Sequence, residues 1–255
     1  KEGEIYDIFR GRIVMPIFDV NKKIVGFGGR TIEKDGFPKY INSPESSVFS
    51  KGSSLFGIDK ARKSIAEKDE VFIVEGYFDH ISLYMNGFKN VVSTLGTSVT
   101  EGQLSKLRNY TENITLMLDG DEAGRRRAND ILELFVSEHA NLRVLPLADD
   151  LDPFEFLLER GAPAFGELVE NSIDALEHAF RTRIAGIDLQ KDIQESSQAL
   201  EQLLGTIAKA PRLRADTTTE DRLREEKFLQ RLAFDFRVSE DEVRSRLTQL
   251  RRKPA

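Results

Sequence analysis

The chain has 255 residues, 43 acidic against 37 basic, with a formal charge of −6 and no cysteine. The absence of thiols excludes a disulfide framework, a cysteine nucleophile and a cysteine zinc site, and a three-histidine metal centre would need His80, His139 and His178 together. No run approaches the roughly 20 apolar residues that span a bilayer, and no basic-then-apolar leader opens the chain, so no membrane partner is expected.

Residues 1–60 carry a net charge of +2, residues 61–211 a net of −11 and residues 212–255 a net of +3. An acidic middle with more basic ends suits cations held centrally and polyanions bound at the margins, although such drift also occurs along ordinary enzymes. The start at Lys1, in mid-pattern and without Met, points to a fragment of something longer.

Ile13 to Phe18 is an apolar run, and Pro16 within it predicts an edge position or a strand terminus. Asp19 to Lys23 reads as a hairpin turn into Ile24–Phe27. Gly26-Phe27-Gly28-Gly29 opens no helix, so it marks a bulge or tight strand packing rather than a phosphate loop. Lys34 to Ser54, rich in Gly, Pro, Ser and Asn, reads as surface loop.

From Asp69 the pattern changes. Val71-Phe72-Ile73-Val74 fits a strand buried on both faces of a parallel sheet. A helix follows to Met85, stopped by Asn86-Gly87. Val91–Ser93 is the next strand, and Thr100-Glu101-Gly102-Gln103 is a capping box opening a helix to about Arg108. Ile114–Leu118 is a third strand, Ala128, Ile131, Leu132, Phe135 and Val136 form one helical face, and Leu142–Leu145 is a fourth strand. This alternation predicts an α/β unit with a mainly parallel sheet. From Pro153 the signals are helical, with stripes at Leu200, Leu203, Leu204, Ile207 and at Leu223, Leu229, Leu232, Phe236. Residues 216–220 read as a linker, and Ser239–Glu242 opens a last helix containing Val243 and Leu247. The divisions are therefore a basic strand-and-loop part over 1–67, an α/β domain over 68–152 and a helical subdomain over 153–255.

In a parallel sheet, ligands bind beyond the C-terminal strand ends. Three strands lead there into acids: Glu75 and Asp79 after the first, Asp119 and Asp121 after the third, Asp149, Asp150 and Asp152 after the fourth. Such a cluster repels itself unless a cation sits within it, and a hard divalent ion is the economical partner. Simple capping also accounts for Asp121 and, before Pro153, for Asp152, while Asp79 fits a solvated first-turn acid. Glu75, followed by Gly76, has no cap to make.

Glu75-Gly76 with Asp119-x-Asp121, Gly124 and Arg125 resembles the Toprim signature shared by bacterial primases, topoisomerases and some nucleases. Val74–Asp79, Ser93–Ser98, Asp119–Gly124, Phe27-Gly28-Gly29-Arg30, Pro38–Pro44 and Lys51-Gly52 resemble the bacterial DnaG-type primase family, over about Arg10 to Leu158. The resemblance weakens in the helical region to Leu250. It implies a Toprim-type sheet flanked by helices and the synthesis of RNA primers on single-stranded DNA. The chemistry implied is Mg²⁺-dependent attack of a ribose 3′-hydroxyl on an α-phosphate, with Mn²⁺ able to substitute. Glu75, Asp119 and Asp121 match the family's catalytic and metal-binding acids, Asp79 and Asp152 are supporting ligands, and Glu75 is also a candidate general base. Arg10, Arg12, Arg30, Lys39, Tyr40, Asn42 and Lys51 match its template and nucleotide contacts. Solvated loop residues are the plain alternative for the basic side chains.

The partners implied are the single-stranded template, ribonucleoside triphosphates and, through a region beyond this chain, a replicative helicase. A monomer at the replication fork in the bacterial cytoplasm is implied. The family's zinc ribbon is missing, and Phe154 stands where relatives often carry a further acid. A topoisomerase or nuclease, a non-catalytic Toprim module and a phospho-acceptor domain are the alternatives weighed.

Overall fold

The computed structural model describes residues 7–118, 131, 141–147, 151–209 and 219–252, and of Leu118 and 219–222 the backbone alone. The chain divides into two compact units, Lys1–Thr111 with Leu151–Phe165, and Glu112–Asp150 with Gly166–Ala255.

The first unit opens with an antiparallel sheet of β1 (Arg12–Phe18), β2 (Ile24–Thr31) and β3 (Tyr40–Asn42), in that order. Pro16, which has no N–H to donate, lies on the edge strand as its chemistry requires. Asp19 turns the hairpin, its Oδ1 accepting the N–H groups of Asn21 at 2.8 Å and Lys23 at 2.9 Å. Met15 and Ile17 face inward with Phe49, Tyr77 and Leu95. The glycines of β2 mark close packing: an added Cβ would come within 2.9 Å of the Phe49 ring from Gly26, 2.3 Å of Tyr77 from Gly28 and 2.6 Å of Phe9 from Gly29.

β3 lies inside the stretch read as loop. Three residues are too few to show alternation, and β3 is fixed instead by its pairing with Gly28–Arg30. The sequence reading also missed α1 (Ile58–Lys68), which begins after Gly57 at φ 84° with no capping side chain. Its buried apolar residues are Ile58, Ala61 and Ile65, with Asp59 buried beside them in the first turn.

β4 (Val71–Val74), wholly buried, pairs in parallel with β5 (Val91–Ser93). Between them α2 (Tyr77–Met85) ends at Asn86, with Gly87 at φ 97°. α3 (Glu101–Leu107) carries the predicted capping box: Gln103 N–H donates to Thr100 Oγ1 at 3.2 Å, and Thr100 N–H to Gln103 Oε1 at 3.1 Å. α4 (Pro153–Glu170) is two helical runs meeting at Gly161, whose φ of 79° and ψ of 170° break the spiral ahead of Pro163.

In the second unit β6 (Asn113–Leu118) and β7 (Asn141–Pro146) pair in parallel from Asn113 opposite Asn141, and their inward apolar residues are buried. An unpredicted β8 (Ile173–Asp174) adds antiparallel to β7, and Asp174 then caps α5 (Ala175–Ile184). Of the helix predicted after Asp119, only Ile131, helical and buried, lies within the described residues. α6 (Ile193–Ala208), α7 (Thr219–Phe236) and α8 (Glu240–Arg252) complete the unit. Leu203, Leu204, Ile207, Leu229, Leu232, Val243 and Leu247 bury the predicted stripes, whereas Leu223 remains 53% exposed. The stretch read as a linker already belongs to α7 from Thr219. The architecture is a mainly parallel α/β sheet flanked by helices, with the small antiparallel sheet before it and the helical part after it.

Candidate functional site

The site begins where β4 ends. Glu75 is half-buried, and its carbonyl accepts hydrogen bonds from Gly96 N–H at 2.8 Å and Ser93 Oγ at 2.9 Å, tying the strand end to the residues at and after β5. The next turn folds back on itself: Gly76 N–H donates to Asp79 Oδ2 at 3.0 Å. A Cβ on Gly76 would lie 2.5 Å from that oxygen, so glycine is what allows the carboxylate to close over the helix start. Asp79 is only 8% exposed, which replaces its reading as a solvated acid.

Tyr77 reaches from α2 into the antiparallel sheet. It is 2% exposed, its hydroxyl donates to Asn42 Oδ1 at 2.6 Å, and its ring stacks on Tyr40 at 6.2 Å between centroids. Burial pushes the Tyr77 phenol far above its ordinary pKa, so it remains a neutral donor. Asn42 in turn donates through Nδ2 to the Leu95 carbonyl at 3.1 Å, so both ends of its amide are engaged.

Phe78 completes a clamp around Arg30. The guanidinium carbon lies 4.6 Å from the Phe78 centroid and 5.3 Å from that of Tyr40, and Arg30 Nη1 donates to Tyr40 Oη at 2.6 Å. A cation over such faces is worth about 0.5–2 kcal/mol, more as water is excluded. Phe154, in the first turn of α4, meets Phe78 edge-on at 6.3 Å. Just before it Asp152 caps that helix, its Oδ1 accepting Glu155 N–H at 2.7 Å. Burial raises the Tyr40 pKa above 10, Arg30 opposes the shift, and the negative charges of Asp79 and Asp152 add to it. Two predicted acids and two predicted polyanion contacts therefore share one electrostatic neighbourhood.

Residues 1–62 match the N-terminal domain model of the DNA primase catalytic core, and residues 72–157 match a Toprim-like model. The chain belongs to the DnaG-type primase family. The DNA primase of Aquifex aeolicus is 36% identical over 207 residues, which cover 81% of this chain and 40% of that protein. The DNA primase of Clostridium acetobutylicum is 34% identical over 80% of this chain and 35% of its own length, so the chain spans well under half of either relative. Among solved structures, a DNA primase domain from Pseudomonas aeruginosa superposes with a TM-score of 0.84 at 31% identity, covering 99% of this chain and 75% of that one. A DnaG primase catalytic domain bound to single-stranded DNA gives 0.77 at 30% identity, covering 93% of this chain and 73% of that one.

The primase resemblance also named residues that the structure places elsewhere in the first unit. Arg12 Nη1 braces the hairpin by donating to the carbonyls of Gly29 at 3.4 Å and Lys39 at 3.3 Å, while the Lys39 side chain is exposed. Arg10 is exposed beside Gly11, and Lys51 sits in a turn whose carbonyl accepts Gln103 Nε2 at 3.3 Å. Asp119 and Asp121 lie outside the described residues, as do Gly124, Arg125, Asp149 and Asp150. Among the described residues no group of three or more His, Asp or Glu is placed to hold a metal ion.

Sequence reasoning missed Tyr77, Phe78 and Phe154 as parts of this site. The one available signal was Gly28, a glycine inside a strand, which announces a close approach without saying by what.

Proposed function

We propose that this chain is part of a primase that joins ribonucleotides into short RNA primers on single-stranded DNA, in the bacterial cytoplasm at the replication fork. The observation that carries the reading is the succession, along one chain, of a primase-core match and a Toprim match, with Glu75 closing the first buried strand of the Toprim region. No helix among the described residues is long and apolar enough to cross a membrane.

The acids assigned here, Glu75, Asp79 and Asp152 with Asp119 and Asp121 outside the described residues, offer only carboxylate oxygens, whose chemistry suits a hard cation such as Mg²⁺ or Mn²⁺ and not a soft one. Asp119 and Asp121 join Glu75 as the principal ligands in this reading, with Asp79 and Asp152 in support. A divalent cation bound by these acids would neutralise phosphate charge and lower the pKa of a ribose 3′-hydroxyl. In this reading Glu75 is also the candidate general base that would accept that proton. In this reading Arg10, Arg12, Arg30, Lys39, Tyr40 and Asn42 contact the template and triphosphate, and the bonds that Arg12, Arg30, Tyr40 and Asn42 make within the protein hold that surface in shape. Lys51 joins the same basic set, the protein acts as a monomer, and a replicative helicase docks through a region beyond this chain.

Phe154 favours a second reading, a non-catalytic or nucleolytic Toprim module that binds nucleic acid, because it offers Phe78 a ring where a further carboxylate would strengthen the metal site. Template-dependent ribonucleotide incorporation by the full-length protein separates the two. Incorporation with Mg²⁺ or Mn²⁺, abolished by Glu75→Gln or Asp119→Asn at unchanged single-stranded DNA affinity, supports the polymerase. DNA binding without any incorporation, or incorporation that survives both substitutions, overturns it.

A further inference from the structure

Phe37 is 93% exposed, more than any other large apolar residue described, and the Tyr77–Arg30 site makes no use of it. It sits at the end of the connection between β2 and β3, and that connection is anchored at its base. Thr31 N–H donates to the Lys39 carbonyl and Ile32 N–H to the Gly11 carbonyl, each at 3.1 Å, and Arg12 braces Lys39 from the side. A turn closes above them through Gly36 N–H to the Glu33 carbonyl at 3.2 Å, with Gly36 packed so tightly on Thr31 that a Cβ would fall 2.2 Å from its hydroxyl oxygen. The ring is thus carried outward by an ordered hairpin.

Its surroundings are polar and carry charges of both signs. Lys34, Lys39 and Arg10 are exposed on the same hairpin and at its base. Of the three nearby acids, Asp7 is engaged with the Phe9 N–H at 2.8 Å, Glu33 Oε1 lies toward Gly11, 3.6 Å from where a Cβ there would stand, and Asp35 is exposed beside Lys34 on the hairpin. An aromatic ring standing clear of the surface between lysines matches one ligand chemistry well. Unpaired bases offer a flat face to stack on, and the phosphates to either side need cations.

We propose that Phe37 stacks on an unpaired base of single-stranded DNA, with Lys34 and Lys39 contacting the flanking phosphates. The proposal rests on the primase reading for its ligand and adds a base contact to a surface otherwise composed of phosphate contacts.

The test compares oligo(dT) with an abasic oligonucleotide of equal length, titrated against the full-length protein at several salt concentrations. Phe37→Ala is expected to weaken oligo(dT) binding at least about fivefold, leave abasic binding unchanged and leave the salt slope unaltered, since no charge is lost. Phe37→Trp restores or tightens oligo(dT) binding. Lys39→Ala weakens both ligands and flattens the slope by about one. If Lys39→Ala weakens binding and Phe37→Ala does not, the stacking role is overturned while the DNA-binding surface stands. If neither matters, the basic surface fails as well. A loss of thermal stability in Phe37→Ala with an unchanged ratio between the two ligands assigns the ring to a protein contact and also overturns the proposal.

Discussion

Gly28→Ala tests the central packing claim. β2 is the middle strand, with Gly28 paired to Met15 on one side and Asn42 on the other, so the backbone cannot retreat. The new methyl would stand 2.3 Å from both Cζ and Oη of Tyr77, where packed carbons keep about 3.5–4.0 Å. The ring must therefore shift by more than about 1 Å, yet it is 2% exposed and wedged between Tyr40 and Phe56. Overpacking of this kind costs about 1–3 kcal/mol. Breaking the buried bond to Asn42 adds about 1–3 kcal/mol, and the alanine's advantage within a strand returns about 0.5–1 kcal/mol. A net loss of about 2–4 kcal/mol is expected in equilibrium urea unfolding, at unchanged m-value. In a Tyr77→Leu background the phenol and its Oη are gone, and the same glycine substitution should cost less than about 1 kcal/mol. Equal costs in the two backgrounds would refute the steric argument, as would a single-variant loss below about 0.5 kcal/mol.

Asp79 separates structure from charge: Asp79→Asn still offers an oxygen to Gly76 N–H and should stay within about 0.5 kcal/mol of the parent, whereas Asp79→Ala loses about 1 kcal/mol. Both should weaken Mg²⁺ binding measured by calorimetry, and a full-affinity Asp79→Asn would remove Asp79 from the ligand set. Arg30→Lys keeps the charge but not the planar fork between Phe78 and Tyr40, so a loss of about 1 kcal/mol in urea unfolding is expected, and none if the clamp is incidental. In the second unit, burial alone would raise the Glu177 carboxyl, but the hydrogen bonds and charges of Arg181 and Arg231 outweigh it and hold the pKa below its ordinary value. Its stabilisation, about 1 kcal/mol for a pair this near the surface, is then present above the unfolded carboxylate pKa and is lost as pH falls through the folded one. Glu177→Gln should flatten the urea midpoint between pH 5 and 3 by about that amount, and parallel curves would contradict the assignment.

What the sequence made legible was local. The buried run at Val71–Val74, the stop at Asn86-Gly87 and the capping boxes at Thr100 and Ser239 each depend on residues a few positions apart, and each appears where expected. α1 was illegible for a physical reason: Gly57 reaches its N-terminal position through a left-handed φ instead of a capping oxygen, so the usual start signal is absent. The side-chain site was illegible because its contacts are long-range. Tyr77 meets Asn42 across 35 positions and Asn42 meets Leu95 across 53, distances over which periodicity carries no information.

The same long-range contacts explain how cations and acids can act together. α2 begins two residues after Glu75, and its first two residues, Tyr77 and Phe78, both engage the antiparallel sheet, one by hydrogen bond to β3 and one by the face it turns to Arg30 of β2. Any displacement of the hairpin is therefore passed to the turn that carries Glu75, Gly76 and Asp79. Arg30 is held between Phe78 and Tyr40 in the same compact unit as Glu75 and Asp79. In the proposed function, a phosphate chain bound by the hairpin would be held by the same unit that carries Glu75 and Asp79. Preorganisation of this kind lowers the reorganisation needed at the moment of reaction. It also accounts for three glycines in four residues of β2: each lets a ring from elsewhere in the unit approach the strand closely enough to lock the sheet to its neighbours.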